Sequence, residues 1–436
     1  MADGSSGGSM SPRERLVILV LAAVQFTSIV DFMVIMPLGP QLERAMNLSP
    51  AQFSAIVASY TYAAGLAGLV ATMVIDKFAR RPAFLALFVG FLVGTLMCGL
   101  ATTYPLLLAA RFLTGAFGGV LGGMAMAIVG DVFPEERRGR ATGALMSAFA
   151  LASVFGVPVG LTLGQNYGWQ MPFLVLAALG VPILFLSGWA LPRLDAHLGR
   201  RVEGDPLVRL KETLIHPNHL RAFALMATLM FGAFTVIPSL SIYLVANVGI
   251  KEGQLPFCYI VGGLLTMVGS PISGRFADRH GKLKVYRLVA PFFALMILVS
   301  TNLPPVPLAV AVLVMGALMV SNAGRMVPAM AMITSSVEPH QRGGFLGANS
   351  AVQHIAAGMG ASVAGMILAK SPIDGKLLHF PTVGLISIAT TLLSLWLAGR
   401  LRLADASPPM DLVHSLAAAA EGTVDADEAV VMAEPA

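Results

Sequence analysis

Charged residues are scarce in this chain. Asp, Glu, Lys and Arg together account for 12% of its 436 residues, whereas soluble domains carry charge on about a quarter of theirs. Hydrophobic residues make up 56%, and the mean hydropathy is +0.78. This balance excludes a string of ordinary soluble domains and predicts a protein that crosses a membrane many times.

The sequence also lacks the short motifs with which many enzymes bind nucleotides or activate a hydrolytic group. It contains no G-x-x-x-x-G-K-[ST] and no H-E-x-x-H, so neither ATP hydrolysis nor a zinc-dependent hydrolase is indicated. Its two cysteines, Cys98 and Cys258, fall in or at the edge of hydrophobic blocks and identify no redox compartment. We therefore expect a protein that is not an enzyme and uses no cofactor or metal.

The chain is instead rich in hydrophobic blocks of about 20 to 28 residues, each long enough to cross a bilayer as a helix. Twelve such spans are predicted, which makes this an all-α membrane protein. They lie at 16–39, 52–75, 83–102, 105–130, 141–164, 171–191, 220–247, 254–277, 284–303, 305–333, 343–369 and 379–401.

Basic residues are distributed unevenly between the two sides of these spans. If both termini are cytoplasmic, 22 of the 28 Lys and Arg lie on the cytoplasmic side, and only Arg44, Lys251, Lys370 and Lys376 lie on the other. The positive-inside rule then predicts a multi-pass protein of the cell (inner or plasma) membrane, with both termini cytoplasmic. The pI near 9.4 follows from this orientation, so the lipid bilayer is the expected partner and nucleic acid is not.

The longest polar interruption, 192–219, separates spans 6 and 7 and divides the chain into two six-helix halves. We predict a disordered N-terminus at 1–11, an N-terminal half at 12–191, a cytoplasmic linker at 192–219 and a C-terminal half at 220–402. The remaining segment, 403–436, holds seven acidic residues and no Lys or Arg, which predicts an acidic disordered tail.

The two halves carry a weak internal repeat. "VFPEERRGRATGALMSA" (132–148) opens span 5 and "VEPHQRGGFLGANSA" (337–351) opens span 11, while "MVIDKFARR" (73–81) ends span 2 and "GRFADRHGK" (274–282) ends span 8. Repeated halves around a site at the middle of the membrane are typical of secondary transporters.

Two opposite charges lie at a similar depth in the N-terminal half. Asp31 is in span 1, within "VQFTSIVDFMVIMPLGPQL", and Arg111 is in span 4, within "LLLAARFLTGAFGGVLGG". A charge inside the hydrocarbon needs a counter-charge or water, so we expect the two side chains to meet. Two interpretations remain open: Asp31 exchanges a proton during the working cycle, or the pair is a fixed structural contact.

Taken together, these motifs resemble the Major Facilitator Superfamily over about residues 12 to 402. Arg111 and Gly115 match its R-x-x-x-G motif. Gly156-Val157-Pro158-Val159-Gly160 in span 5 is similar to the G-P-x-x-G-G motif of the twelve-span drug:proton antiporters, in the variant found in arabinose- and sugar-efflux-permease-like members. The resemblance implies two halves that rock about a central substrate site, with Asp31 and Arg111 in proton coupling. It also implies a kink of span 5 at Gly156, Pro158 and Gly160.

The loop after span 2 resembles the G-x-x-x-D-x-x-G-R-[RK] motif of that superfamily, with both glycines replaced. Asp76, at the C-terminal end of its helix, is disfavoured by the helix dipole and should have a partner near Gly343 and Gly344 at the start of span 11. The second copy keeps its glycines, and Asp278 would face the start of span 5. The resemblance implies an inner gate formed by Asp76, Arg80, Arg81, Asp278, Arg279 and Lys282. The alternative is that these loops are basic anchors only.

Several polar side chains within spans are candidates for the substrate cavity, because polar and ionisable groups at that depth are costly unless they have a function. They are Gln25, Tyr60, Asn322, Arg325, Asn349, Gln353 and His354. Arg325 has two readings, an anchor for an anionic group or a structural residue, and His354 is either titratable or a packing residue.

The function that these features favour is proton-coupled efflux of small molecules, such as drugs or other amphiphiles, by a monomer driven by the proton gradient. A sugar or metabolite exporter and a proton-symporting nutrient importer of the same fold are the alternatives. A receptor or scaffold that binds ligand without transporting it is a third.

Overall fold

The computed structural model describes residues 10–195, 206–338 and 341–402. The predictions of disorder at 1–9 and in the tail 403–436 concern residues outside these ranges. Ser11 is inside them: its Oγ accepts a hydrogen bond from the Glu14 amide, and the Glu14 carboxylate accepts one from the Ser11 amide, so that a capping box starts the first helix.

Twelve long helices, here spans 1 to 12, make up most of the described chain and confirm the predicted all-α fold. Spans 1 to 6 are Pro12–Val34, Pro50–Val74, Arg80–Leu100, Tyr104–Val132, Glu135–Tyr167 in three consecutive pieces (Glu135–Leu151, Ala152–Gly156, Val157–Tyr167) and Met171–Ala190. Span 7 is Pro217–Val248, in the pieces Pro217–Val236, Ile237–Ser239, Leu240–Tyr243 and Leu244–Val248. Spans 8 to 12 are Leu255–His280, Lys282–Thr301, Leu308–Ser335, Arg342–Ile367 and Phe380–Ala398.

Eleven of the twelve are long and apolar enough to cross a membrane by length and composition. The exception is span 11, Arg342–Ile367, which has 26 residues and so has the length, but whose sequence is rich in Gly and Ala and contains Asn349, Gln353 and His354. Small residues suit a helix that packs closely against other helices, which is where span 11 lies.

Short elements connect the spans. They are the helix Gly39–Met46 between spans 1 and 2, the 3₁₀ turns Ile75–Lys77 and Glu252–Gln254, and the helix Pro206–Ile215 before span 7. A small antiparallel hairpin joins spans 11 and 12, in which the strand Ala369–Lys370 pairs with Leu377–Leu378. The face of the molecule that contains the ends of span 2 and span 8 and the start of span 1 is called the basic face. The other, which contains the Gly39–Met46 helix and the hairpin, is the opposite face.

The apolar cores show where the two halves are joined. One core lies toward the opposite face and combines residues of both halves, for example Val34 and Leu42 with Ile242 and Phe380. Toward the basic face, the N-terminal half has a core of its own around Phe84. The C-terminal half has a separate apolar core at the same face. The shared core therefore closes the opposite face, while each half has its own core toward the basic face.

Two seams run between the halves, and both depend on residues without bulky side chains. Span 2 packs along span 11: a Cβ at Gly65 would lie 3.1 Å from the Ala351 carbonyl oxygen, and one at Gly358 would lie 2.8 Å from Thr61 Oγ1. Span 5 packs on span 8, where a Cβ at Gly263 would lie 3.0 Å from the Ser153 carbonyl oxygen. At both seams the glycines therefore let the helices of the two halves approach more closely than a larger side chain would allow.

Span 5 accommodates its proline by a π-helical turn. The predicted kink motif Gly156, Pro158 and Gly160 is preceded by the π-helix Ala152–Gly156, in which the Val157 amide donates to the Ala152 carbonyl five residues back. Pro158 has no amide hydrogen to donate and its ring conflicts with the normal helical ladder, so the chain widens by one residue just before it. The sequence indicated a kink; the structure shows a π-turn facing the seam with span 8.

Candidate functional site

Asp31 and Arg111 meet in the interior of the N-terminal half, as their positions predicted. Arg111 Nη1 lies 2.8 Å from Asp31 Oδ2 and 3.3 Å from the Asp31 carbonyl oxygen, and both side chains are fully buried. Thr95 of span 3 donates to the other carboxylate oxygen, Asp31 Oδ1, at 3.1 Å. Spans 1, 3 and 4 thus each supply one polar group to the same buried site.

Gly115 of the R-x-x-x-G motif explains how Arg111 reaches this site. A Cβ at Gly115 would lie 2.2 Å from the Tyr60 carbonyl oxygen, so only glycine lets span 4 approach span 2 at that point. One turn away, the Arg111 guanidinium lies over the Tyr60 ring, with Cζ 4.5 Å from the ring centroid. Stacking on an aromatic face stabilises a buried cation. Tyr60, which we predicted to line the cavity, is therefore buried beneath Arg111.

The hydrogen bonds of the pair are incomplete. Arg111 Nε and Nη2 have no hydrogen-bond partner in the described part of the chain, although a guanidinium carries five N–H donors. A buried donor without an acceptor is costly, and removing one charge of a buried pair leaves the other uncompensated. Any change in the charge of Asp31 would therefore act strongly on the position of Arg111.

The pair lies close to the opposite face. Asp31 is three residues before the end of span 1, and Arg111 is seven residues after the start of span 4 at Tyr104. At 1.5 Å per residue, these positions are about 5 and 10 Å from the helix ends. The shared apolar core and the short helix Gly39–Met46 separate the pair from that face.

Arg325 occupies a similar site in the C-terminal half, but with no acid beside it among the described residues. It is fully buried in span 10 and its Nη2 donates to the Leu229 carbonyl oxygen of span 7 at 3.2 Å, much as Arg111 of span 4 donates to a carbonyl of span 1. Its Nε and Nη2 donate to Asn322 Oδ1 at 3.3 and 3.1 Å, and Cζ lies 3.5 Å from the centroid of Phe293. Neutral acceptors and a ring hold this cation, so Asn322 and Arg325 form an internal contact of one half.

The remaining cavity candidates lie in spans 1 and 11. Gln25 is half-buried in span 1 beside Gly122 of span 4. On span 11, Gln353 and His354 are half-buried, and Asn349 is buried, with no hydrogen-bond partner for its Oδ1 among the described residues. These side chains offer amide and imidazole groups as hydrogen-bonding partners. The charged side chains of neighbouring spans, Asp31, Arg111 and Arg325, are fully buried. Their role in binding substrate stays a prediction.

Comparison with known proteins identifies the family of this chain. The sequence profile described as Major Facilitator Superfamily matches residues 21–319 and 222–419, which together cover most of the chain. The chain belongs to the Major Facilitator Superfamily. It is accordingly a multi-pass membrane transporter.

Curated relatives and a solved structure are similar to this chain at low sequence identity. The chain is 26% identical over 211 residues to the uncharacterized MFS-type transporter YtbD of Bacillus subtilis, covering 48% of this chain and only 52% of YtbD. It is 26% identical over 270 residues to the inner membrane transport protein YdhP of Escherichia coli, covering 59% of this chain and 68% of YdhP. A crystal structure of the D-xylose-proton symporter superposes with a TM-score of 0.70 at 15% identity, over 87% of this chain and 97% of that one.

The residues of the superfamily's loop motif form contacts within their own halves. Arg80 Nε lies 3.2 Å from Asp131 Oδ2 at the end of span 4, and Arg81 donates to the Gly188 carbonyl oxygen of span 6. Lys282 Nζ donates to Ser335 Oγ at 2.6 Å. Asp278 and Arg279 are exposed, and the side chain of Asp76 lies outside what the structure describes. The gate role of this group stays a prediction.

The opposite face carries polar contacts between the halves that the sequence did not reveal. Arg44 forms a two-pronged ion pair with Glu252, with Nη2 2.7 Å from Oε2, and Gln165 donates to the Glu252 carbonyl oxygen. Lys370 Nζ of the hairpin lies 3.3 Å from Glu43 Oε2. A cleft of about 630 Å³ lies beside the first pair, and its lining residues are Gln41, Arg44, Ala45, Gly164, Gln165, Asn166, Gly168, Trp169, Glu252 and Gly253.

Proposed function

We propose that this transporter exports small uncharged or amphipathic molecules in exchange for protons, with Asp31 as the proton-carrying residue. The basic face is then cytoplasmic, as the positive-inside rule indicates, and the protein works as a monomer. The observation that carries the proposal is the fully buried Asp31–Arg111 pair, which lies near the opposite face and leaves two guanidinium nitrogens without acceptors.

The pair is suited to coupling because its two charge states require different surroundings. With Asp31 ionised, Arg111 is neutralised and the site can stay closed and dry. When Asp31 takes up a proton, Arg111 keeps its charge, since a guanidinium does not deprotonate in proteins, and becomes an uncompensated buried cation. The protonated state therefore favours a rearrangement that brings water or another acceptor to Arg111, and such a conformational change is what alternating access needs.

Export is supported by the resemblance of the span 5 motif to efflux proteins, and by where the acids lie. Among acidic residues, the described spans of the C-terminal half contain only Asp278, which is exposed at the end of span 8. The buried acid within the membrane-spanning helices is thus in the N-terminal half. An uncharged substrate is supported by the enclosure of Asp31, Arg111 and Arg325, which leaves amides, hydroxyls and apolar groups along the seams.

A sugar or other polyhydroxylated metabolite is the second candidate for the substrate. The observation that favours it is the set of neutral hydrogen-bonding groups at the seam between spans 2 and 11. There Tyr62 Oη lies 3.1 Å from Ser362 Oγ across the two halves, and Asn349 Oδ1 is unpaired among the described residues. Hydroxyl and amide groups of this kind give directional hydrogen bonds to a sugar.

The test uses purified protein in liposomes that contain a pH-sensitive dye. Dyes, antibiotics, sugars and lipids are supplied one at a time, and substrate-dependent proton movement is recorded in the wild type and in Asp31→Asn. Asp374→Asn is the matched control, because Asp374 is an exposed acid paired with Lys376 in the hairpin. We expect proton movement opposite to the substrate, lost in Asp31→Asn and kept in the control.

Other outcomes decide against the proposal in different ways. Movement of protons and substrate in the same direction would make the protein a symporter. Full proton-coupled flux in Asp31→Asn would show that Asp31 is not the coupling residue and that the pair is structural. Substrate flux that does not depend on the proton gradient would show that transport is not coupled to protons.

A further inference from the structure

The opposite face contains a second buried acid that the proposed mechanism does not use. Glu43 lies in the short helix Gly39–Met46 and is 4% exposed. Its Oε2 lies 3.3 Å from Lys370 Nζ of the other half, while its Oε1 has no hydrogen-bond partner among the described residues. Lys370 itself is 44% exposed. The Glu43 carboxylate is thus buried with one oxygen unpaired, and its counter-charge on Lys370 is screened by solvent.

We propose that Glu43 is a second proton-binding residue, and that its protonation from the solution at the opposite face favours closure of that face. The inference deepens the proposed function and rests on it in one respect, because it takes the opposite face to be the external one. The geometry behind it, a buried acid at a contact between the halves, does not depend on the substrate.

The groups around Glu43 leave Lys370 as its charged partner. On its own helix, Arg44 is engaged with Glu252. Span 2, Pro50–Val74, packs against the helix and contains no Asp, Glu, Lys or Arg. The piece Leu240–Tyr243 of span 7 also packs there and brings Tyr243, whose hydroxyl donates to the Leu303 carbonyl oxygen at 3.0 Å.

The other charges of the hairpin are paired with each other. Asp374 Oδ2 lies 3.1 Å from Lys376 Nζ, and both side chains are about half exposed. They are thus engaged at the tip of the hairpin, whereas Lys370 pairs with Glu43 at its base. The charge balance at Glu43 is therefore set by burial and by Lys370.

Burial is the stronger of these two influences. It raises the pKa of the Glu43 carboxyl above its usual value, and the nearby Lys370 ammonium lowers the pKa by less. When the opposite face opens, Glu43 and Lys370 separate and Glu43 enters water, where its pKa returns toward the ordinary value. The proton is therefore bound more tightly in the closed state than in the open state.

The sign of the pH effect follows from this difference. Because the pKa is higher when the face is closed, closure is favoured at low pH and loses that advantage as the pH rises through the raised pKa. Between the two pKa values, the closing equilibrium changes by up to about tenfold per pH unit for one proton. In an antiporter this sign is productive, since protons from outside would close the external face and return the carrier toward the cytoplasm.

The experiment measures opening of the opposite face directly. Spin labels are attached to cysteines introduced at the exposed positions Thr102 and Ile373, one in each half. The native cysteines, Cys98 and Cys258, are fully buried and stay unlabelled. Distance distributions are recorded in lipid nanodiscs from pH 5 to 8, without substrate, in the wild type and in variants.

Each variant has its own expected signature. The wild type should shift from short toward long distances as the pH rises. Glu43→Gln imitates the protonated acid and should hold the short distance at every pH. Lys370→Gln removes the cation that lowers the Glu43 pKa, so the transition should move to higher pH. Asp374→Asn, on the same hairpin, should behave as the wild type does.

Two results would overturn the inference: a Glu43→Gln protein with the pH dependence of the wild type, or a wild type in which acid opens the face. The variant Lys370→Gln tests the same idea if Glu43→Gln does not fold, because a transition that stays in place would refute the role of Glu43. Failure here is distinct from failure of the proposed function, which the flux assay on Asp31→Asn decides.

Discussion

The close contact at Gly115 gives the sharpest test of how the charge pair is held. In Gly115→Ala, the new Cβ would lie 2.2 Å from the Tyr60 carbonyl oxygen and 2.8 Å from Tyr60 Cα. Ordinary carbon contacts are about 3.5–4.0 Å, so spans 2 and 4 must separate by about 1 Å. The obstacle is backbone, which cannot rotate away as a side chain can. Overpacking should therefore lower the free energy of unfolding of this variant by about 1–3 kcal/mol.

Gly123→Ala is the matched control on the same helix. A Cβ at Gly123 would meet nothing within 4 Å, so that variant should show only the gain in helix stability of alanine over glycine, about 0.5–1 kcal/mol. Because this gain is common to both variants, they should differ by the cost of overpacking, about 1–3 kcal/mol in the free energy of unfolding, seen as different thermal unfolding temperatures in detergent.

Function should follow the same order as stability. A shift of about 1 Å between spans 2 and 4 would move Arg111 off the Tyr60 ring and stretch its 2.8 Å contact with Asp31, so proton-coupled flux in Gly115→Ala should fall by at least about tenfold. Flux in Gly123→Ala should be that of the wild type. Equal unfolding temperatures and equal flux in the two variants would refute the argument that the R-x-x-x-G glycine positions the arginine.

Three further changes test the charges themselves. Asp31→Asn should lose proton-driven flux and cost about 3–5 kcal/mol of stability, because Arg111 stays buried without a counter-charge; liposome flux and thermal unfolding measure the two effects. Arg111→Lys keeps the charge but loses the planar group over the Tyr60 ring, so flux should fall by about tenfold, and a wild-type rate would show that any cation suffices. Arg44→Ala removes an exposed ion pair with Glu252 and should change the free energy of unfolding by no more than about 1 kcal/mol in physiological salt, whereas a larger loss would make that pair a principal contact between the halves.

The sequence predicted the helices and the charge pair for the same physical reason. Long apolar blocks have few structures available in a bilayer, and Asp31 and Arg111, at similar depth in one half, had few other partners. Span 11 matched in position, although its composition is less apolar, because it packs between helices. These features depend on local sequence or on simple pairing of opposite charges.

The contacts that the sequence did not predict depend on tertiary geometry. The contact between Tyr60 and Arg111 could not be predicted from the sequence, because it follows from the close approach of spans 2 and 4 at Gly115. Thr95 is an ordinary hydroxyl in span 3 until the fold brings it within 3.1 Å of Asp31 Oδ1. Glu43 and Lys370 lie 327 residues apart in short connections between spans, and no pattern in either segment links them.

The structure also connects the glycine motif of span 5 to the acid of span 1. A Cβ at Gly156 would lie 2.2 Å from Val30 Cγ2, and one at Gly160 would lie 2.7 Å from Val34 Cγ2, so span 5 forms a close-fitting surface for the stretch of span 1 that contains Asp31. The carbonyl of Ser153, in the π-turn just before, contacts Gly263 of the other half. Under the proposed mechanism, a movement of span 8 against span 5 would act on a helix whose glycines pack against the side chains of Val30 and Val34, on either side of Asp31. The proposed rocking of the halves would therefore reach the surroundings of the carboxylate through packing, with no need for a charged residue between them.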